Sequence, residues 1–129
     1  MMNVQQSAFD AAQRINNYVL ETPVEHSLWL SEETGADVWF KCENLQHTGS
    51  FKYRGAVNKL LSLSDAERSA GVVAASTGNH GAAVARAMSL LDIPGVIFVP
   101  ENASPTKLKT IEHYGAKVRV AGDDCVVAE

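Results

Sequence analysis

The chain has 129 residues and a formal net charge of −4, with 46% hydrophobic and 20% charged residues. That is enough for one compact domain burying roughly two-thirds of its unfolded surface, and a pI near 5.5 gives no electrostatic reason to expect nucleic acid or an anionic membrane as partner. No apolar stretch approaches the ~20 residues that span a bilayer, and MMNVQQSAFD lacks the basic and apolar regions of a secretory signal, so a cytoplasmic location is expected.

Phe9, Ala12, Ile15 and Val19 recur at helical spacing in SAFDAAQRINNYVL, which predicts an amphipathic helix packed on a core and stopped by Pro23. DVWFKCEN (37–44) is rich in strand formers and reads as a short strand. HTGSFKYRGA (47–56) follows, with Lys52 among small and apolar residues directly after a Thr-Gly-Ser turn. A helix is expected over AVNKLLSL (56–63), and Ser64-Asp65-Ala66-Glu67 is a capping-box pattern for another.

From Gly71 onward the pattern becomes regular. The apolar run 72–75, the glycine-rich STGNHG (76–81) and AAVARAMSLLD (82–92) read as strand, turn and helix. GVIFVP (95–100) is the next strand. Ser104-Pro105 supplies an N-cap and a first-turn proline for a helix over TKLKTIEHY (106–114), which Gly115 ends. AKVRV (116–120) is a third strand, and residues 123–129 open a further helix. Short strands alternating with helices predict an α/β fold: a parallel twisted sheet with right-handed crossovers and helices on both faces, half of a doubly wound unit. Because the chain stops inside a helical pattern, it reads as a fragment of a longer protein.

In an open parallel sheet, ligands bind beyond the carboxyl ends of the strands, where helix N-termini direct N–H groups outward. STGNHG occupies such a place. Ser76, Thr77 and Asn79 offer hydroxyl and amide groups, Gly78 and Gly81 permit close backbone approach or positive φ, and the turn favours an anion such as a carboxylate. The same residue types also make an ordinary helix cap. A lysine that forms an imine must present a free amine, which desolvation or a nearby cation favours. Phe51 and Tyr53 can shield Lys52, Arg54 can disfavour its charge, and Thr48, Ser50 and the N–H groups near Gly49 can hold an anion. Cys42 and Cys125 are far apart and His26, His47, His80 and His113 are scattered, so reduced thiols and no metal site are expected.

These pieces together resemble a known family. KCENLQHTGSFKYRGA (41–56), GVVAASTGNHG (71–81), Thr22-Pro23 and PENASPTKLKTIEHYGAKV (100–118) are similar, in order, to the pyridoxal-phosphate-dependent enzymes of the tryptophan-synthase-β fold type, fold type II. Tyr53 after the lysine and His80 after the asparagine resemble the threonine/serine dehydratase and serine racemase branch; relatives that make cysteine or threonine usually carry Asp and Thr there.

The resemblance implies two α/β domains, with 1–52 the beginning of the larger cofactor-binding domain and 53–129 an incomplete smaller one. It implies pyridoxal 5′-phosphate as cofactor, a small amino acid as substrate and a homodimer. Lys52 would hold the cofactor as a Schiff base, release it to the substrate amine and then take the α-proton. Phe51 would pack beside the cofactor, Asn79 would bond its phenolic oxygen, and Ser76, Thr77, Gly78, Asn79 and His80 would clamp the substrate carboxylate. The implied activity is an ammonia-lyase (dehydratase) that converts threonine or serine to a 2-oxo acid and ammonia. A racemase or β-replacement enzyme of the same fold is the alternative, as is a dehydratase of the hydroxyectoine-utilisation type, which STGNHG resembles. Racemases of this branch have Ser at the position of Thr77, as the base on the opposite cofactor face, and dehydratases often have Ala; Thr77 keeps the hydroxyl as a candidate catalytic group but is bulkier, which disfavours a racemase without excluding it. The family's glycine-rich phosphate cup and its Ser or Thr facing the pyridine nitrogen would lie beyond residue 129, so the isolated chain is expected to bind cofactor poorly and to be inactive. A non-catalytic α/β fragment, in which Lys52 is a surface charge and STGNHG a cap, is the reading from a different class.

Overall fold

The computed structural model describes residues 3–76 and 78–123. Thr77, Cys125 and residues 124–129 of the expected last helix lie outside the described residues.

Helix α1 (Val4–Ile15) begins at Asn3, whose side-chain oxygen accepts from the Gln6 N–H at 3.2 Å. Its apolar stripe meets the core only at the end. Ile15 is buried, whereas Phe9 is 60% exposed. Strands β1 (Val24–His26) and β2 (Trp39–Lys41) pair antiparallel around helix α2 (Leu28–Thr34). Neither β1 nor α2 is expected from the sequence pattern. Helix α2 nevertheless has ordinary ends: Ser27 accepts from the Leu30 N–H, and Gly35, at φ 67°, donates its N–H to the Ser31 carbonyl.

Two 3-10 turns, Glu43–Leu45 and His47–Gly49, lead into α3 (Lys52–Leu61), which starts four residues earlier than the pattern predicts. The capping box forms as expected at α4 (Asp65–Ala70): Ser64 accepts from the Glu67 N–H, and the Glu67 carboxylate accepts from the Ser64 N–H at 2.7 Å. Then come β3 (Val72–Ala75), α5 (Asn79–Leu91), β4 (Gly95–Val99), α6 (Pro105–His113) and β5 (Lys117–Val120). The three strands lie parallel in the order β3-β4-β5, as their alternation with helices predicts. Ser104 stands before Pro105 as expected, but its side chain makes no capping bond, so the proline's fixed φ sets this helix start.

Register places Ala74, Ile97 and Val118 in one row across the sheet. That row faces the core, where Ile97, Val99, Val57 and Ile111 have no exposed surface. Each such side chain contributes about 1.5–3 kcal/mol by leaving water. Helix α5 supplies small residues to the same core, with Gly81, Ala83, Ala85 and Ala87 buried, which lets α3 pack closely against it. Val73, on the opposite face of the sheet, is 71% exposed. Among the described residues no helix is long and apolar enough to cross a membrane.

Candidate functional site

Lys52 is the first residue of α3, and its ammonium lies 5.3 Å from the centre of the Phe51 ring. Residues three, four and seven positions on share its helix face. Gly55, Ala56 and Lys59 accordingly join Lys52 and Phe51 along one wall of a cleft of about 500 Å³. Val72, Val73 and Ala74 of β3, with His80 and Val84 of α5, form the other wall. A cleft of this size falls in the range that holds small cofactors and substrates. Its lining is mostly apolar, with the two lysines and His80 as its ionisable groups among the described residues.

The second motif begins where β3 ends. The Ser76 N–H continues the ladder to the Phe98 carbonyl at 3.0 Å, and the Ser76 hydroxyl accepts from the Gly78 N–H at 3.2 Å. Asn79 and His80 then open α5, both exposed. Gly78 at the N-cap has no side chain to accept from the first-turn N–H groups, which leaves the positive end of this 13-residue helix uncapped by a side chain, an arrangement that favours an anion. The cleft thus unites Lys52, Phe51 and His80. Ser76, Gly78 and Asn79 stand beside it but are not among its lining residues, and Thr77 is outside the described residues.

The two glycines of STGNHG differ in what they do. Gly78 has negative φ, and a Cβ there would meet nothing within 4 Å. At Gly81 a Cβ would sit 2.5 Å from the Ser76 carbonyl oxygen and 3.1 Å from Cδ1 of Ile111. Gly81 is therefore required by packing between the turn, α5 and α6, and not by a positive φ or an approaching ligand. Gly81→Ala is expected to lower stability by about 1–3 kcal/mol through overpacking, read as a shift in the urea midpoint.

The surroundings of Lys52 also differ from expectation. Successive helical residues point about 100° apart, so its neighbours in sequence face elsewhere. Tyr53 is fully buried in the core, and Arg54 is turned onto Glu43. The expected shielding by Tyr53 and the expected repulsion by Arg54 are therefore both absent; of the three neighbours named, only Phe51 lies over the lysine.

Arg54 anchors the helix. It donates from Nε and Nη2 to the two carboxylate oxygens of Glu43 at 2.8 and 2.7 Å, and from Nη2 to the Leu20 carbonyl at 3.0 Å. Thr22 donates its hydroxyl to the same carboxylate at 2.6 Å, and Lys41 donates to the Thr22 carbonyl. The Arg54 hydrogen bonds hold the Glu43 carboxyl at about 2, well below its ordinary 4.5, with the Thr22 hydrogen bond adding to the effect. Gln46, also buried, accepts from the Leu20 and His47 N–H groups and donates to the Leu20 carbonyl. These bonds fix the turn that delivers Lys52 to the cleft. Sequence reasoning singled out Thr22-Pro23 but missed Glu43, Gln46 and Lys59; only Lys59, seven residues after Lys52, carried a readable helical signal.

The described residues are compatible with a pyridoxal-phosphate-type cofactor: an accessible amine, an aromatic ring beside it, an apolar cleft and a helix N-terminus. The family model for pyridoxal-phosphate dependent enzymes matches residues 15–129. The chain belongs to that family. An L-threo-3-hydroxyaspartate ammonia-lyase from Pseudomonas sp is 49% identical over 108 residues, which cover 84% of this chain and 34% of that relative. An L-threonine ammonia-lyase from Thermotoga maritima is 45% identical over 114 residues, covering 88% of this chain and 28% of the relative. Maize serine racemase is a structural neighbour with a TM-score of 0.89 at 39% identity, covering 95% of this chain and 37% of that one. The fold is that of the fold type II pyridoxal-phosphate enzymes, and the family's cofactor is pyridoxal phosphate. The chain spans about a third of the length of the curated relatives it matches.

Proposed function

We propose that the protein is a pyridoxal-phosphate-dependent ammonia-lyase acting on a small hydroxy amino acid, with Lys52 as the residue that holds the cofactor. The observation that supports this best is the convergence of Lys52, Phe51 and His80 on one apolar cleft, although the two motifs are well separated in sequence. The relatives named as ammonia-lyases support the reaction class.

When bound, the cofactor supplies the electron sink that stabilises charge at the substrate's α-carbon. The remaining work falls to the chain. The Lys52 amine is the point of covalent attachment and then takes the α-proton. Phe51, beside the Lys52 amine, would pack against the cofactor and exclude water from that side. Asn79 would help to hold the cofactor, while Ser76, Thr77, Gly78, Asn79 and His80, with the positive end of α5, would hold the substrate carboxylate. The β-hydroxyl would leave as water, and hydrolysis of the resulting enamine by a second water would give the 2-oxo acid and ammonia.

In this reading 1–52 belongs to a larger cofactor-binding domain and 53–129 to a smaller one, and the complete protein is a cytoplasmic homodimer that binds neither nucleic acid nor membrane. Lys59 and His80 in the cleft, together with the hydroxyaspartate ammonia-lyase relatives, favour including 3-hydroxyaspartate among the substrates tested. Protein made from the whole reading frame is expected to release equal amounts of 2-oxo acid and ammonia from L-threonine, L-serine or L-threo-3-hydroxyaspartate. Recovery of D-amino acid without 2-oxo acid would instead establish a racemase.

A further inference from the structure

The turn before Lys52 is strained. Thr48 has φ 62° and Gly49 φ 68°, and a β-branched residue in the left-handed region is costly unless its surroundings hold it there. Gln46 holds the turn from the N-terminal side. From the other side comes Arg86 of α5, which donates from Nη2 to Nδ1 of His47 at 3.3 Å. Its guanidinium lies between two aromatic faces, 5.6 Å from the ring centre of Tyr53 and 5.6 Å from that of Tyr114. His47 meets the Tyr53 ring edge-on at 5.2 Å, and His113 lies against Tyr114 at 5.5 Å. Among the described residues Arg86 is in no salt bridge, and its Nε and the Tyr53 hydroxyl are buried without a hydrogen-bond partner.

A guanidinium has donors only. The Arg86 bond therefore requires an unprotonated Nδ1, which makes His47 a neutral ring carrying its proton on Nε2. We propose that Arg86 is a positioning residue for Lys52, clamping the strained turn through neutral His47, so that protonation of His47 releases the turn. The inference rests on the reading of Lys52 as the cofactor-bearing residue. Burial, and secondarily the Arg86 charge, lower the pKa of His47 below its ordinary 6.5, consistent with a ring held neutral. The clamp thus operates at and above pH 6.5 and is lost as pH falls through the lower value reached in the fold.

The test uses protein from the whole reading frame with ¹⁵N-labelled histidine. Nitrogen spectra are expected to show His47 as the Nε2–H form, titrating below 6.5. In Arg86→Met the midpoint is expected to rise toward 6.5. Pyridoxal phosphate capture, read as borohydride-fixed adduct against time at pH 8, is expected to slow by about tenfold or more, the low end of the loss for a hydrogen bond to a charged group. Arg86→Lys, which keeps a cation and a donor, is expected to recover most of that rate. An Nδ1–H tautomer of His47 in the unaltered protein overturns the proposal without any variant, as does an Arg86→Met protein with unchanged capture and unchanged His47 titration. Lys52→Ala separates the two readings: adduct persisting there contradicts the role of Lys52, whereas the tautomer of His47 is independent of it.

Discussion

Lys52→Ala, made in protein from the whole reading frame, is expected to lower 2-oxo acid formation by roughly 10²–10⁴-fold, the range for loss of a positioned proton-transfer group. Loss of covalent cofactor attachment would add to this. The fold should survive. Lys52 is exposed and hydrogen-bonds no side chain among the described residues, so the variant's stability in urea denaturation is expected to match the parent's within about 0.5 kcal/mol. An inactive but equally stable variant separates chemistry from folding, and full activity in the variant would contradict the assignment.

The second large effect concerns the ion pair behind the lysine. Glu43→Gln is expected to cost roughly 2 kcal/mol near neutral pH. The shift from 4.5 to about 2 sets an upper limit somewhat above that figure, and partial exposure reduces it. The sign follows from proton binding. The unfolded chain takes up a proton near 4.5 and the folded one only near 2, so the pair stabilises fully above 4.5 and progressively less as pH falls toward 2. Urea denaturation of both proteins from pH 7 to pH 2 should show their difference closing over that interval. A difference that does not change with pH would mean that the Arg54–Glu43 pair contributes shape but no charge.

The parallel sheet was readable because β3 and β4 are short apolar runs, β5 alternates charged and apolar residues between Gly115 and Gly122, and helices of ordinary spacing separate them. Of the N-terminal pair, β2 (Trp39–Lys41) was readable in DVWFKCEN, whereas β1 was not. Val24–His26 is three residues long with every position exposed; it is held by pairing with Trp39–Lys41 and carries no alternation of its own. Helix α2 had legible ends in Ser27 and Gly35 but is only seven residues long. Gly55, a poor helix former, concealed the early start of α3.

The candidate site was legible in its motifs and not in its support. Lys52, Phe51 and His80 do share a cleft. The residues that aim them act across gaps that no local pattern reveals, as Arg54 does on Glu43 and Arg86 on His47. About 100° separates the directions of adjacent helical side chains, so Tyr53 and Arg54 serve the core and the anchor while Lys52, alone of the three, faces the cleft.

Peptide mapping after reduction tests the central claim most directly. Protein from the whole reading frame is mixed with pyridoxal phosphate, reduced with borohydride, digested and analysed by mass spectrometry. The account predicts a single stoichiometric pyridoxyl adduct, on the peptide containing Lys52. An adduct on Lys59 or another lysine, with Lys52 unmodified, would contradict it.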